Sequence, residues 1–218
     1  CYPSAGFWKD PEDEKKDKQL YDMIEQANVC KDIHAWGAVI HIYNKDHLQI
    51  KKRCNLLKDH YKKQGVVLLL EMSAGKSSET TYDRPERINL LVDTLYDDGT
   101  RWFGITVDTA HIWGAGQNIR SYDDMKKWLD GIKRPEYIRQ FHLNGSRAGL
   151  GSGTDYHAAP FESVDQIWHG VEFDKSGVKA VLQYAKKYNI TVICEINEGD
   201  PKELNKCWDN IRSQALKI

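Results

Sequence analysis

Long hydrophobic runs are missing from this chain. The longest unbroken apolar stretch in its 218 residues is 66–70 (VVLLL), far short of the ~20 residues needed to cross a bilayer, so no membrane partner is expected. Cysteine is sparse and odd in number: Cys1, Cys30, Cys54, Cys194 and Cys207 lie far apart, which is no disulfide framework. Cys54 and Cys207 fall on apolar faces of helical patterns and Cys194 inside an apolar strand, so all three read as buried, reduced thiols. No secretory or transit segment opens the chain, and a reducing compartment, cytoplasm or nucleus, is expected. Charge of one sign is also lacking. The 31 Lys and Arg nearly cancel the 32 Asp and Glu, leaving a net charge of -1, and nucleic-acid binders usually carry a basic excess. A case for DNA must therefore come from a site rather than from bulk charge. An initiator Met is absent as well; the chain opens on Cys1-Tyr2-Pro3 and is expected to be the later part of a longer protein. Repeats, low-complexity tracts and linkers are not seen, which predicts one domain over 1–218.

What is present is a regular alternation. Apolar, strand-like runs occupy 37–43 (GAVIHIY), 66–71 (VVLLLE), 103–108 (FGITVD), 138–143 (IRQFHL) and 190–196 (ITVICEI). Between them lie patterns of helical period, such as Ile50, Cys54, Leu57 and Tyr61, or Val178, Val181, Leu182 and Ala185. A first helix is expected at about 12–27 and a short one around 164–168, with no strand between 143 and 174. Asp83 and Asp200, each followed three residues later by Glu, read as helix caps, and Gly131 as a helix stop. Alternation of this kind implies parallel strands joined by right-handed crossovers, an α/β fold.

Each strand carries a metal-capable side chain at or near its C-terminal end: His41, Glu71, Asp108, His142 and Glu195. In a parallel barrel those ends converge on one face. A single strand-terminal His or Asp is ordinarily structural, but burying five such groups together without a cation is costly. Two short pairs add to them, Asp108 with His111 and Asp155 with His157, the latter on alternate residues of an extended segment. Mixed His, Asp and Glu ligation suits Zn²⁺, with Mn²⁺ or iron less specifically indicated. The remaining histidines, His34, His47, His60 and His169, lack ligand-spaced partners. Trp36, Trp128, Trp168 and Trp208 read as packing residues.

These motifs, LEMSAG at 70–75, VDTAH at 107–111, FHLN at 141–144, TDYH at 154–157 and Cys194-Glu195, resemble the endonuclease IV family of apurinic/apyrimidinic endonucleases, in order from about His41 onward. The resemblance implies a (β/α)8 TIM barrel, of which this chain would supply roughly strands four to eight. It also implies a site of three zinc ions. His41 and Glu71 would hold the first, with Glu71 bridging to a second completed by Asp108, His142 and Glu195. His111, Asp155 and His157 would hold the third. The family has a further His and a DNA-probing Tyr upstream; Tyr2 matches that Tyr. Double-stranded DNA with abasic sites is the implied substrate, cut 5′ to the lesion by a monomer, with Glu71 central to catalysis. Lys76, Trp113 and Arg147 are candidate DNA contacts beside Tyr2. Four ligand carboxylates against three divalent ions would leave the loaded site at about +2, attractive to phosphate on a near-neutral protein. Met72, Gly145 and Ala158 stand where the family usually has Asn, Asp and a second His.

Two other readings compete. A sugar-phosphate isomerase or epimerase of the same barrel class would use Glu, Asp and His at the same strand ends, but has no need for the His111–Asp155–His157 cluster. A non-catalytic DNA- or metal-binding remnant would fit an incomplete barrel. Five strands alone expose two edges, and Val39, Val66, Leu68 and Ile105 belong to strands whose inward residues would lack neighbours. The short chain by itself is thus expected to aggregate or stay partly folded.

Overall fold

Strand and helix alternate along the chain as the hydrophobic periodicity requires. A computed structural model describes residues 6–9, 17–43, 45–78, 80–96, 99–196 and 201–218. In chain order these form α1 (Lys18–Asp32), β1 (Gly37–Ile42), α2 (His47–Gln64), β2 (Val67–Met72), α3 (Pro85–Leu95), β3 (Phe103–Asp108), α4 (Thr109–Gly114), α5 (Tyr122–Asp130), β4 (Ile138–His142), β5 (Gly145–Ser146), β6 (His157–Ala158), α6 (Gly177–Tyr188), β7 (Thr191–Ile193) and α7 (Pro201–Ala215). Five strands make one parallel sheet in the order β1-β2-β3-β4-β7. It is an arc of a parallel barrel with the five expected strands. The beginning of the helix expected at 12–27 lies outside the described residues.

Register places the chemistry. Because strands alternate faces, one rung of side chains crosses the sheet as His41, Glu71, Thr106, Gln140 and Thr191. A second rung, two residues further on, holds Asp108, His142 and Ile193. The opposite face carries Ile40, Leu68, Leu70, Ile105, Val107 and Phe141, buried in the main apolar core with the helices. Of the four residues named from these strands, Val66, Leu68 and Ile105 are buried on the helix side, and Val39, on the inward face with His41, is half-buried. Helices cover one side of the sheet, and polar groups fill the other.

Local chemistry departs from expectation at several points. Asp46 starts α2 by accepting from the Leu48 and Gln49 amides, and Gly65 ends it at φ 69°. Asp83 does not cap α3; Arg84 holds that position, and the Asp83 carboxylate instead accepts from Gln117 Nε2 at 2.8 Å. Asp200 lies outside the described residues. Gly131 does follow α5, but in right-handed conformation. Its small size matters because a Cβ there would lie 2.7 Å from Pro85. The expected short helix near 164–168 is a set of turns. There the buried Asp165 carboxylate accepts from the amides of Ser146, Phe161, Ile167 and Trp168, doing what a helical ladder would otherwise do. The expected strand-free stretch contains the antiparallel pair β5–β6, and β7 is shorter than 190–196. Cys54 and Cys207 are buried, as expected, whereas Cys194 is only half-buried. Trp36 is exposed at the entry to β1 beneath the Arg139 guanidinium rather than packed in the core. No helix among the described residues is long and apolar enough to cross a membrane.

Edge strand β1 is tied down by side chains. Trp8 Nε1 donates to His41 O at 2.7 Å, and Cys30 Sγ lies 3.6 Å from Gly37 O, which blunts an edge otherwise open to pairing. Behind Trp8, the buried Arg53 donates to Phe7 O, stacks over the Phe7 ring and pairs with the buried Asp17 at 2.6 Å. Replacing Arg53 by Ala strands the Asp17 carboxylate in the interior, and breaking a buried pair in this way costs about 3–5 kcal/mol. We expect Arg53→Ala to lower the urea midpoint accordingly and Asp17→Asn on top of it to recover part of the loss. A midpoint unchanged by Arg53→Ala would show the pair to be dispensable.

Candidate metal centre

All eight expected ligands meet at the C-terminal end of the sheet. Glu71 Oε1 lies 2.8 Å from His142 Nδ1, which lies 2.9 Å from Glu195 Oε2 and 3.7 Å from Asp108 Oδ2. Asp108 Oδ2 is 3.6 Å from His157 Nε2, which is 2.9 Å from Asp155 Oδ1. Asp155 Oδ1 is 3.3 Å from His111 Nε2, and His111 returns to Glu71 at 3.8 Å. His41 joins Glu71 at 3.4 Å. Acid and imidazole thus alternate around a closed ring. Glu71, Asp108, His111 and His142 are buried, while Asp155 stands half-exposed at the mouth.

Local geometry explains the short motifs. Asp108 ends β3 and caps α4, accepting from the His111 amide at 3.1 Å. The cap curls the chain so that the His111 ring folds back over the strand end, which is why a three-residue separation brings the two together. Asp155 and His157 reach the ring from the loop and from β6. Asn144 knits the floor, donating to Asp108 Oδ2 at 2.7 Å and accepting from the Glu195 amide at 2.9 Å. The Thr109 hydroxyl bonds the Asn144 backbone from below.

The donor set fits metal ions. Three groups have ligand atoms within 4.8 Å of one another: Glu71, Asp108, His142 and Glu195; His41, His111 and Asp155; Asp108, His111 and His157. The first matches the set expected for the second ion, and the other two share His111. His111 Nδ1 donates to Met72 O at 2.6 Å and His157 Nδ1 to Glu195 O at 2.8 Å. Both Nε2 atoms are buried and turned inward beside Asp155 Oδ1, at 3.3 and 2.9 Å. An outer nitrogen held by a carbonyl and an inner one turned toward the ligand cluster is how metal-binding histidines are usually supported.

Of the expected DNA contacts, Lys76 is exposed and Tyr2 lies outside the described residues. Trp113 corrects its expectation: it is buried, and its Nε1 donates to Ala148 O at 3.0 Å, so it packs under the loop instead of facing outward. Arg147 is half-buried, donating to His157 O and pairing with Glu162 at 3.3 Å, so it supports β6. Sequence reasoning missed Trp8, Thr109 and Gln140. Gln140 alternates with His142 on β4, and that spacing was the available signal; nothing local marked Trp8.

A family model described as xylose isomerase-like TIM barrel matches residues 1–206. The chain belongs to the xylose isomerase-like TIM barrel family. A probable AP endonuclease of African swine fever virus is 31% identical over 188 residues, 83% of this chain and 62% of the relative. The chain therefore spans less than two thirds of that relative's length. Among solved structures, AsfvAP:AG superposes with a TM-score of 0.80 at 25% identity, over 97% of this chain and 70% of that one. Endonuclease IV from Thermus thermophilus superposes with a TM-score of 0.71 at 23% identity, over 95% and 72%, and this second likeness concerns the fold. The kinship read from the motifs is thus borne out by the relatives' names, and the barrel by the superpositions.

Protonation of the metal-free ring follows from its charges. Burial alone lowers the affinity of His111 for a proton, but Asp108, Asp155 and Glu71 outweigh it and push the pKa up to about 10. His142 is likewise lowered by burial and raised by Glu195 and Glu71, to about 10, and His157 by Asp155 and Asp108, to about 9. His111 and His157 hold the Asp155 carboxyl well below the usual range. Raised histidines stabilise fully below their unfolded value near 6.5, and that contribution fades as pH climbs through 9 to 10. The depressed carboxylate contributes above its unfolded value near 4 and loses this on acidification. Metal-free protein should therefore be most stable at about pH 5–6 and weaken steadily toward pH 10, as read by urea midpoints in chelator. A flat profile between pH 6 and 10 would contradict these charges.

Proposed function

We propose that the protein is a zinc-dependent apurinic/apyrimidinic endonuclease acting on double-stranded DNA, hydrolysing the phosphodiester bond 5′ to an abasic site. The observation that carries this is the closed alternation of three carboxylates and three imidazoles, with His41 and Glu195 attached to it, and with the buried Nε2 atoms of His111 and His157 turned inward toward Asp155. Glu71, Asp108, His142 and Glu195 would hold one ion, His41 with Glu71 a second, and His111, Asp155 and His157 a third. Zinc in such a site supplies electrophilic stabilisation of phosphoryl charge and a nucleophilic water of lowered pKa. Water adds to phosphorus, the bond from phosphorus to the 3′ oxygen of the preceding sugar breaks, and the products are a 3′-hydroxyl and a 5′-deoxyribose phosphate. The relatives named AP endonuclease support this reading.

This chain's own residues hold that chemistry in place. Glu71 is the hub, with His41, His111 and His142 all facing its carboxylate. Asn144 keeps Asp108 aimed inward while anchoring the backbone of Glu195. Half-exposed Asp155 is placed where an incoming phosphate would arrive, and exposed Lys76 is the basic side chain available to the flanking backbone. The isomerase reading explains the fold but leaves the His111–Asp155–His157 cluster without a use.

In the full gene product, Glu71→Ala should cut abasic-site cleavage by more than the roughly 100-fold typical of losing an outer partner, while far-UV circular dichroism stays unchanged. Prolonged chelation should abolish cleavage, zinc should restore it, and added magnesium should not be needed. Near-normal cleavage by Glu71→Ala, or restoration by magnesium alone after stripping, would overturn the proposal.

A further inference from the structure

Gln140 has no role in the ring described so far, yet it is buried directly beneath it. It alternates with His142 on β4, so the two side chains share the inner face. The side-chain amide nitrogen of Gln140, Nε2, lies 2.8 Å from His142 Nε2, an orientation that a half turn of the amide exchanges with its oxygen. On the far side of the imidazole, Nδ1 faces Glu71 at 2.8 Å, Glu195 at 2.9 Å and Asp108 at 3.7 Å. The ring nitrogen offered to a cation is therefore Nδ1, and Nε2 is turned down the barrel toward the glutamine.

A neutral imidazole carries one N–H and one lone pair. If Nδ1 gives its lone pair to a cation, the proton must sit on Nε2 and needs an acceptor. A primary amide can present either its NH2 or its oxygen at the same place, by a half turn about its last bond. With NH2 toward His142, Nε2 would be the acceptor and the proton would occupy Nδ1, where the cation belongs. With the oxygen there, Nε2–H is satisfied and Nδ1 is free. The turn sends the amide NH2 the other way. Thr106, in register with Gln140 on β3, has a buried hydroxyl without a hydrogen-bond partner and is a candidate acceptor for it.

We propose that Gln140 is a positioning residue, whose side-chain oxygen accepts from His142 Nε2–H and so selects the tautomer that leaves Nδ1 free to bind the metal. This rests on the metal-site reading above. Met72 O and Glu195 O perform the same service for His111 and His157 through backbone carbonyls. His142, at the end of β4, has its own carbonyl taken by the Thr109 hydroxyl and lies between β3 and β7, so a side chain does it instead.

The test compares Gln140→Leu, which removes the acceptor at similar volume, with Gln140→Glu, which keeps an acceptor, in the full-length protein. Zinc affinity is measured by competition with a chromophoric chelator, and His142 by ¹⁵N imidazole correlation spectra of the zinc-loaded protein. Gln140→Leu should bind zinc at the weakened site about 10–100-fold less tightly and lose the hydrogen-bonded Nε2–H signal. Gln140→Glu should retain wild-type affinity and move that signal downfield. Wild-type affinity in Gln140→Leu, or affinity in Gln140→Glu as weak as in the leucine variant, would overturn the proposal. Should the leucine variant not fold, the glutamate variant decides alone: retained affinity with a downfield signal supports the acceptor, and weakened affinity refutes it. A wild-type protein that takes up no zinc would sink the metal-site reading as well, whereas zinc uptake equal in wild type and Gln140→Leu sinks this inference only.

Discussion

The structure is organised around the cost of gathering four carboxylates and four imidazoles where five strands end. Charges removed from water are expensive unless each meets an opposite one or a cation. Here every carboxylate of the ring faces at least one imidazole within 4.0 Å, and the alternation closes on itself. The arrangement is satisfied at its perimeter and open at its centre. His111 and His157 fasten their outer nitrogens to backbone carbonyls and turn the inner ones toward the half-exposed Asp155 carboxylate. A ligand set is distinguished by convergence, and here the ligand atoms of Asp108, His111 and His157 lie within 4.8 Å of one another.

The fold serves this by separating its two faces. Apolar side chains on one side of each strand pack beneath the helices, and the alternate residues deliver polar groups in two rungs to the other. Where a rung cannot reach, local devices substitute. The Asp108 cap bends α4 so that His111 arrives from above, and the β5–β6 pair carries His157 back over the sheet. Asn144 then joins Asp108 to the backbone of Glu195, linking the ends of β3, β4 and β7 through one amide. Trp8 fixes the carbonyl of His41 on the edge strand, so the ligand nearest an open edge is braced by a ring that is itself fully buried.

Sequence made the sheet and the ring legible because both rest on short periods. Alternation of apolar residues marked the five strands, and a chemical group at each strand end marked the convergent face. The failures share a cause: they concern groups whose partners are distant in the chain. Asp83 was a plausible cap by its neighbours, yet Gln117, 34 residues on, claims its carboxylate. Residues 164–168 have helical spacing, but Asp165 draws the nearby amides into turns. Trp113 beside His111 invited a role on DNA, whereas its indole donates to Ala148, 35 residues away. Trp8 carries no motif, and Gln140 only its alternation with His142, since an amide or indole becomes fully informative only once its tertiary neighbour is known.

The near-neutral chain and its proposed substrate are reconciled at short range. Exposed charges more than about 8 Å apart are largely screened at physiological ionic strength, so the overall balance of 31 basic and 32 acidic residues says little about what a phosphate meets at the mouth. What it meets is Asp155, half-exposed, with Glu195 partly exposed behind it. Without metal this rim is a carboxylate surface that repels a polyanion, even with imidazolium partners beneath. With divalent ions seated among the same groups, the local sign reverses. On the proposed function, metal loading therefore governs access to DNA as well as the chemistry performed on it. A strongly basic surface would be unnecessary, and would hold undamaged DNA regardless of whether the site could act.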